Sequence, residues 1–271
     1  MQKIIVRIII LLAIISIPSL IIYKDKINSD KKTEIIPTQP IVKIVEPVIT
    51  QDQKKVVSSP ASVDKRPTIE LSSSSLVPPN LDKKWDISAD YSDDVKRVLN
   101  VRISDNTDSL KKNSDQFDKW IGLGTLRKTV GDYEEAKNIW EFASNKWPDG
   151  FVAFHNLGDL YAGYLKDPKS AEKNFLKVIE LDPHYVSDYI SLYNLYRRQY
   201  GEAGEKTGAI LISGFKSNPK SVDLLVAMGT HYKMISDKEN SKKYYEMALV
   251  EAKSLKNVGL QEAIQLELDN L

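Results

Sequence analysis

The chain of 271 residues contains no cysteine. That excludes disulfides, thiolate metal sites, a lipid-bearing cysteine anchor and a cysteine nucleophile. Histidine is scarce. His155, His184 and His231 lie tens of residues apart and form no ligand-spaced pair, so no metal site is expected. An excess of one charge is missing as well. There are 38 basic and 37 acidic side chains, a net charge of +1, which leaves no electrostatic footprint for nucleic acid. The glycines build no phosphate loop. The run Gly201 to Gly208 contains Lys206-Thr207, but Glu205 stands where a glycine must precede that pair, and no strand leads into it. The run reads as a lengthened turn between two helices. Paired carboxylates such as Glu134-Glu135 and Asp93-Asp94 read as solvated helix starts, favourable there because the helix dipole is positive at that end. No Ser-His-Asp or Lys-Ser order is supported by a motif. The chain is therefore read as a non-enzyme, without cofactor or metal.

One long apolar run is present. Residues 4–22 are almost wholly apolar, with Lys3 and Arg7 at the entrance. The run is long enough to span a bilayer if Arg7 snorkels to the headgroups. A small-x-small cleavage site is missing, so residues 1–23 are expected to be an uncleaved signal anchor, with a cleaved signal and a buried helix as the alternatives. The short tail is expected inside and the rest of the chain outside, at a bacterial cell membrane. Seven of the twelve prolines and several serine runs then fall in 24–84, which reads as a disordered tether. Within it, residues 35–50 are apolar enough to dock as a strand on a partner. Helical signals return after Trp85. Ser92-Asp93-Asp94 can cap a helix, Asn106-Thr107-Asp108 suggests a break, and Ser114 is a candidate cap for the next helix. Residues 85–116 are thus expected to form a leading helix or helix pair over one end of the domain.

From Trp120 onward the chain repeats itself. Trp120, Leu123 and Gly124 are followed by Ala136, Trp140, Ala143 and Pro148. The series returns as Phe154, Leu157, Gly158, Tyr161, Ala171, Phe175, Val178 and Pro183. A looser copy runs Tyr189, Leu192, Tyr196, Leu211, Gly214 and Pro219, and a last one Leu225, Met228, Gly229, Tyr232, Tyr245 and Ala248. Aromatic, Leu and glycine at i, i+3 and i+4 share one helix face. The glycine lets a second helix approach closely, and the proline stops that second helix. Each unit is a helix hairpin that buries its apolar face only by stacking on neighbours.

These residues resemble the tetratricopeptide repeat, a pattern of about 34 residues. Tyr193 replaces the glycine in the third copy, and Ser241 the alanine in the fourth. The resemblance implies an all-α right-handed superhelix of four hairpins, about 117–150, 151–185, 186–221 and 222–254, closed by a capping helix at 258–271. It also implies that first helices line a concave groove that holds a partner protein or extended peptide. By helical spacing that groove would present Thr125 and Lys128; His155, Asn156 and Asp159; Asn194, Arg197 and Arg198; and Thr230 and Lys233. His184, in a turn after Pro183, is expected to be solvated. Cations towards the later units suit acidic groups or a C-terminal carboxylate on the partner. The lysine and asparagine set by which some family members clamp a carboxylate is incomplete, since Ile121 and Thr125 stand where the first unit should supply it. The expected function is a membrane-tethered scaffold for envelope, secretion or pilus assembly. The alternatives are a recruiting or glycan-binding subunit of an envelope enzyme and a self-associating structural protein.

Overall fold

The computed structural model describes residues 77–271. The anchor expected over 1–23, the docking strand at 35–50 and the tether as far as residue 76 lie outside them. Among the described residues there are ten α-helices and no strand, and no helix is long and apolar enough to cross a membrane.

The first helix, α1, spans Asp93–Lys112. Ser92 caps it by accepting from the backbone of Val95. The break expected at Asn106-Thr107-Asp108 does not occur, and there is one helix rather than a pair. Asn106 turns its amide back to the Arg102 carbonyl at 2.9 Å, and Thr107 is buried, so the helix absorbs both turn-forming residues. Ser114 is not a cap either. Its carbonyl accepts the indole N–H of Trp120 at 2.9 Å, and Gln116 holds the cap position without a side-chain bond.

Four hairpins follow. The first pairs α2 (Phe117–Thr129) with α3 (Tyr133–Lys146). The second pairs α4 (Phe151–Leu160), extended by a π-helical turn at Tyr161–Leu165, with α5 (Pro168–Leu181). The third pairs α6 (Val186–Tyr200) with α7 (Glu205–Ser217), joined through the expected turn at Gly201. The fourth pairs α8 (Val222–Met234) with α9 (Lys238–Ser254), and α10 (Val258–Asp269) closes the chain.

The repeated glycines set the closeness of each hairpin. A Cβ on Gly124 would lie 2.3 Å from the Trp140 indole nitrogen, one on Gly158 2.5 Å from Phe175, and one on Gly229 2.7 Å from Tyr245. These aromatics are buried in the hairpin, each contributing about 1.5–3 kcal/mol. The third hairpin breaks the rule because bulk and gap have changed places. Tyr193 fills the glycine position, and the α7 residue buried in the same core cluster is Leu211, where the other units carry an aromatic. The small residue has moved to Gly208, where His231 of the next hairpin comes to 2.9 Å of a Cβ position. Ser241, in the alanine place, is fully buried and donates to the Gly229 carbonyl at 2.8 Å.

Tyrosines then tie unit to unit. The Tyr161 hydroxyl donates to Glu141 on α3 at 2.7 Å, and that of Tyr196 to Glu172 on α5 at 2.8 Å. In the first unit the equivalent residue is Arg127, which is almost wholly buried. It donates to the carbonyls of Lys83 and Lys84 and lies under the Trp85 ring. Lys83 in turn reaches Glu135 at 2.7 Å, and Leu81 and Trp85 pack against the first core cluster. Residues 81–84, expected to belong to the tether, instead pack on the first hairpin, because a buried guanidinium needs acceptors and this segment supplies them.

Candidate functional site

The first helices α2, α4, α6 and α8 carry the ten groove residues expected from the sequence. The structure brings only some of them together. Asp159, Asn194 and Arg198 line one pocket of about 380 Å³, with Ser191, Ala162, Gly163, Phe175 and Lys166. The pocket exists because of a local irregularity. The π turn at Tyr161–Leu165 widens the end of α4, and Lys166 stops it in the left-handed region at φ 57°. A rare wide turn of this kind re-aims the side chains around it. Lys166 donates to the Gly163 carbonyl, which places its ammonium at the rim. Arg198 forms no ion pair among the described residues, so the pocket presents two cations, an amide, a hydroxyl and one carboxylate.

A second pocket of about 500 Å³ adjoins the first and shares Ser191 with it. Its other walls are Val186, Ser187, Ile190, Asp223, Val226, Ala227 and Leu260. The two together form a polar end beside an apolar trough across α6. Neither Lys166 nor the apolar trough belongs to the set that helical spacing selects. Lys166 sits in a hairpin turn and only the π irregularity turns it to the pocket. The trough needs Leu260 from α10, which the repeat pattern does not reach.

Five of the other expected groove residues make contacts within the chain. Arg197 lies 3.6 Å from Glu202 and over the Tyr193 ring. Lys233 pairs with Glu267 of α10 at 3.0 Å, and Thr230 bonds the Tyr245 hydroxyl at 2.9 Å. Thr125 bonds back to the Ile121 carbonyl, and Lys128 lies over the Tyr164 ring. Asn156 is half-buried on α4. His184, expected in solvent, is exposed and its ring meets Asn218 at 3.3 Å.

His155 joins α4 to α6. Its Nδ1 lies 2.6 Å from the Asp188 carboxylate on α6, and its Nε2 3.7 Å from Asp159. Asp188 is wholly buried, and its second oxygen has no partner among the described residues. Burial opposes a charge on His155, but the hydrogen bond and charge of Asp188, helped by Asp159, outweigh it and hold His155 above its ordinary value. Desolvation pushes the Asp188 carboxyl up, and His155 opposes that without cancelling it. Tyr185, edge-on to the ring at 5.3 Å, is pushed up to about 12 by burial and by these carboxylates.

The class that the described residues define is an all-α array of helix hairpins. Residues 152–185 match the family model of the tetratricopeptide repeat, which is the second hairpin. Among solved structures the chain is similar to MamA, with 18% identity and a TM-score of 0.49 over 61% of this chain and 98% of that one. It is also similar to YrrB, described as a TPR protein with an unusual peptide-binding site, with 17% identity and a TM-score of 0.44 over 64% and 84%. A third is TTC0263, a thermophilic TPR protein of Thermus thermophilus, with 14% identity and a TM-score of 0.46 over 64% and 94%. No curated protein sequence matches the chain.

Proposed function

We propose that this chain is a membrane-tethered scaffold that captures an extended segment of a partner protein on its first-helix face. The observation that carries the proposal is the convergence of Arg198, Lys166 and Asn194 on one pocket that continues, at Ser191, into an apolar trough. A segment with a carboxylate followed by an apolar side chain fits both. Arg198 would take the carboxylate in a charge-assisted bond, and the trough would remove the apolar group from water at about 25 cal/mol per Å². Asp159 at the rim disfavours a segment with two adjacent acids. The apolar run at 4–22 supplies the membrane anchor of this reading, and the proline-rich segment after it the reach. Anchoring would raise the local concentration of the face near the membrane. The setting proposed is the outer side of a bacterial cell membrane, in assembly of an envelope, secretion or pilus complex.

A crosslinking pull-down from membranes tests the site. The intact chain is compared with Asn194→Ala/Arg198→Glu and with Arg197→Glu, whose guanidinium is already engaged. A partner lost from the first variant and kept by the second supports the pocket. A partner retained by the Asn194→Ala/Arg198→Glu variant, with helical content unchanged, removes it.

A further inference from the structure

One carboxylate belongs to two places at once. Asp159 lines the pocket with Arg198, Lys166 and Asn194. It also lies one turn of α4 beyond His155, with an oxygen 3.7 Å from Nε2. The other ring nitrogen, Nδ1, is 2.6 Å from Asp188 on α6. The imidazole therefore has a carboxylate oxygen on each side. A neutral imidazole carries a single N–H, and only the protonated ring donates from both nitrogens. Burial decides which carboxylate keeps the N–H when one proton leaves. Asp188 is wholly buried, and its second oxygen has no partner among the described residues. Without His155 it would be a buried charge with nothing beside it, which is costly. The Asp159 side chain is 43% exposed, so water can replace its partner. The proton that leaves is thus the one on Nε2, and the carboxylate it strands is the one in the pocket.

We propose, on the reading of the pocket as a site for a partner's carboxylate, that His155 sets the charge of that pocket and ties uptake of an acidic segment to the proton on its Nε2. With the ring protonated, Asp159 is answered by His155, and Arg198 and Lys166 are left to the incoming acid. With Nε2 bare, Asp159 faces a lone pair. The cations that share its pocket are Arg198 and Lys166, so the carboxylate turns to them and competes with the ligand. The titratable groups around the ring are Asp159 on its own helix, Asp188 and Tyr185 at the start of α6, and Lys128 of α2. Burial and Lys128 oppose the proton, Asp188 and Asp159 favour it, and the balance holds His155 above its ordinary value of 6.5. Coupling of this kind is reciprocal: a proton that favours the ligand is itself held more tightly once the ligand is bound.

The test uses the full chain in mild detergent with isotope-labelled glycine and histidine, followed by NMR. Gly163, which lines the pocket, reports binding, and the His155 ring reports its own proton. The probe is the blocked dipeptide N-acetylglutamyl-leucinamide, which has one carboxylate, one apolar side chain and no group that titrates between about pH 6 and about pH 9. Its glutaminyl analogue is the uncharged control. The acidic peptide is expected to bind about five- to tenfold more tightly at pH 6 than at pH 9, and saturating peptide to raise the titration midpoint of His155 by the matching amount, about 0.7–1 pH unit. In Asp159→Asn the difference between the two pH values should fall to within about twofold, because binding at pH 9 tightens. Equal affinity at the two pH values in the wild type overturns the inference and leaves the pocket standing. So does an undiminished pH dependence in Asp159→Asn, which would put the responsible proton elsewhere. A peptide that shifts Gly163 at neither pH, or that its glutaminyl analogue matches, overturns the inference together with the pocket.

Discussion

Arg127 donates from Nη2 to the carbonyl of Lys83 at 2.7 Å, and this bond ties the segment ahead of α1 to the first hairpin. The guanidinium is almost fully buried, and desolvation lowers its affinity for the proton against the pull of Asp132 and Glu135. A buried charge is tolerable only while its donors are used. Segment 83–84 provides carbonyls, Trp85 a ring face and Asp132 a carboxylate at 3.5 Å. Arg127→Ala is expected to destabilise the domain by about 3 kcal/mol, the scale for breaking a buried charged contact. It should also free Lys83 and Lys84 for cleavage by trypsin. Denaturant unfolding and timed digestion check this together. Continued protection of the two lysines in the variant would show that Leu81 and Trp85 alone hold the segment.

The glycine contacts give a second prediction. Gly158→Ala places a methyl 2.5 Å from the Phe175 ring, and overpacking on this scale costs roughly 1–3 kcal/mol. Gly158→Ala/Phe175→Leu should cost less than the sum of its two single changes, because the shorter side chain relieves the clash. Gly163→Ala is the contrast. A Cβ there meets nothing within 4 Å among the described residues, so its effect should stay within about 0.5 kcal/mol. A double-mutant cycle with no coupling would mean that the two helices simply move apart.

The two inter-unit tyrosines should not be equal. Glu172 also receives Lys206 at 2.8 Å, whereas Glu141 has no ion-pair partner among the described residues. Tyr196→Phe leaves a satisfied carboxylate behind it and is expected to cost under about 1 kcal/mol. Tyr161→Phe leaves Glu141 unpaired in a half-buried place and should cost about 1–2 kcal/mol. Unfolding midpoints of the two variants decide, and an equal loss would show that Lys206 does not share the load.

The hairpins are legible in the sequence because their rule is local. A glycine, an aromatic sixteen or so residues on and a closing proline are all read along one chain. Third-unit departures such as Tyr193 are visible too, but their compensation at Gly208 and His231 crosses between hairpins and is not written at any fixed spacing. The binding face is legible only in part. Helical spacing puts Asp159, Asn194 and Arg198 on the right face. It does not show that Glu202 and Glu267 occupy Arg197 and Lys233, since both acids come from elements outside the repeat pattern. The π turn that brings Lys166 to the pocket breaks the 3.6-residue period on which the spacing argument depends.

Two histidines should give the domain opposing responses to pH. His155 is held above its ordinary value of 6.5, so the folded state binds its proton more tightly. Its contribution is present in full below about 6.5 and is lost as pH rises through the folded value. Asp188, raised from 3.8, acts with the same sign at lower pH. The groups facing them are Asp159, Lys128 and Tyr185. His231 is the reverse. Burial against Tyr193 and Tyr232 lowers it from 6.5, so its contribution is present above about 6.5 and lost as pH falls. Removing one histidine should expose the other. His155→Gln/Asp188→Asn, which keeps a neutral hydrogen-bonded pair, should gain stability relative to the wild type on going from about pH 6 to about pH 8. His231→Asn should lose stability over the same interval. Urea unfolding of the three proteins at both values measures this directly. Parallel shifts in the two variants would mean that the joint between the second and third hairpins does not titrate, and that the His155 contact with Asp188 is held by packing instead of charge.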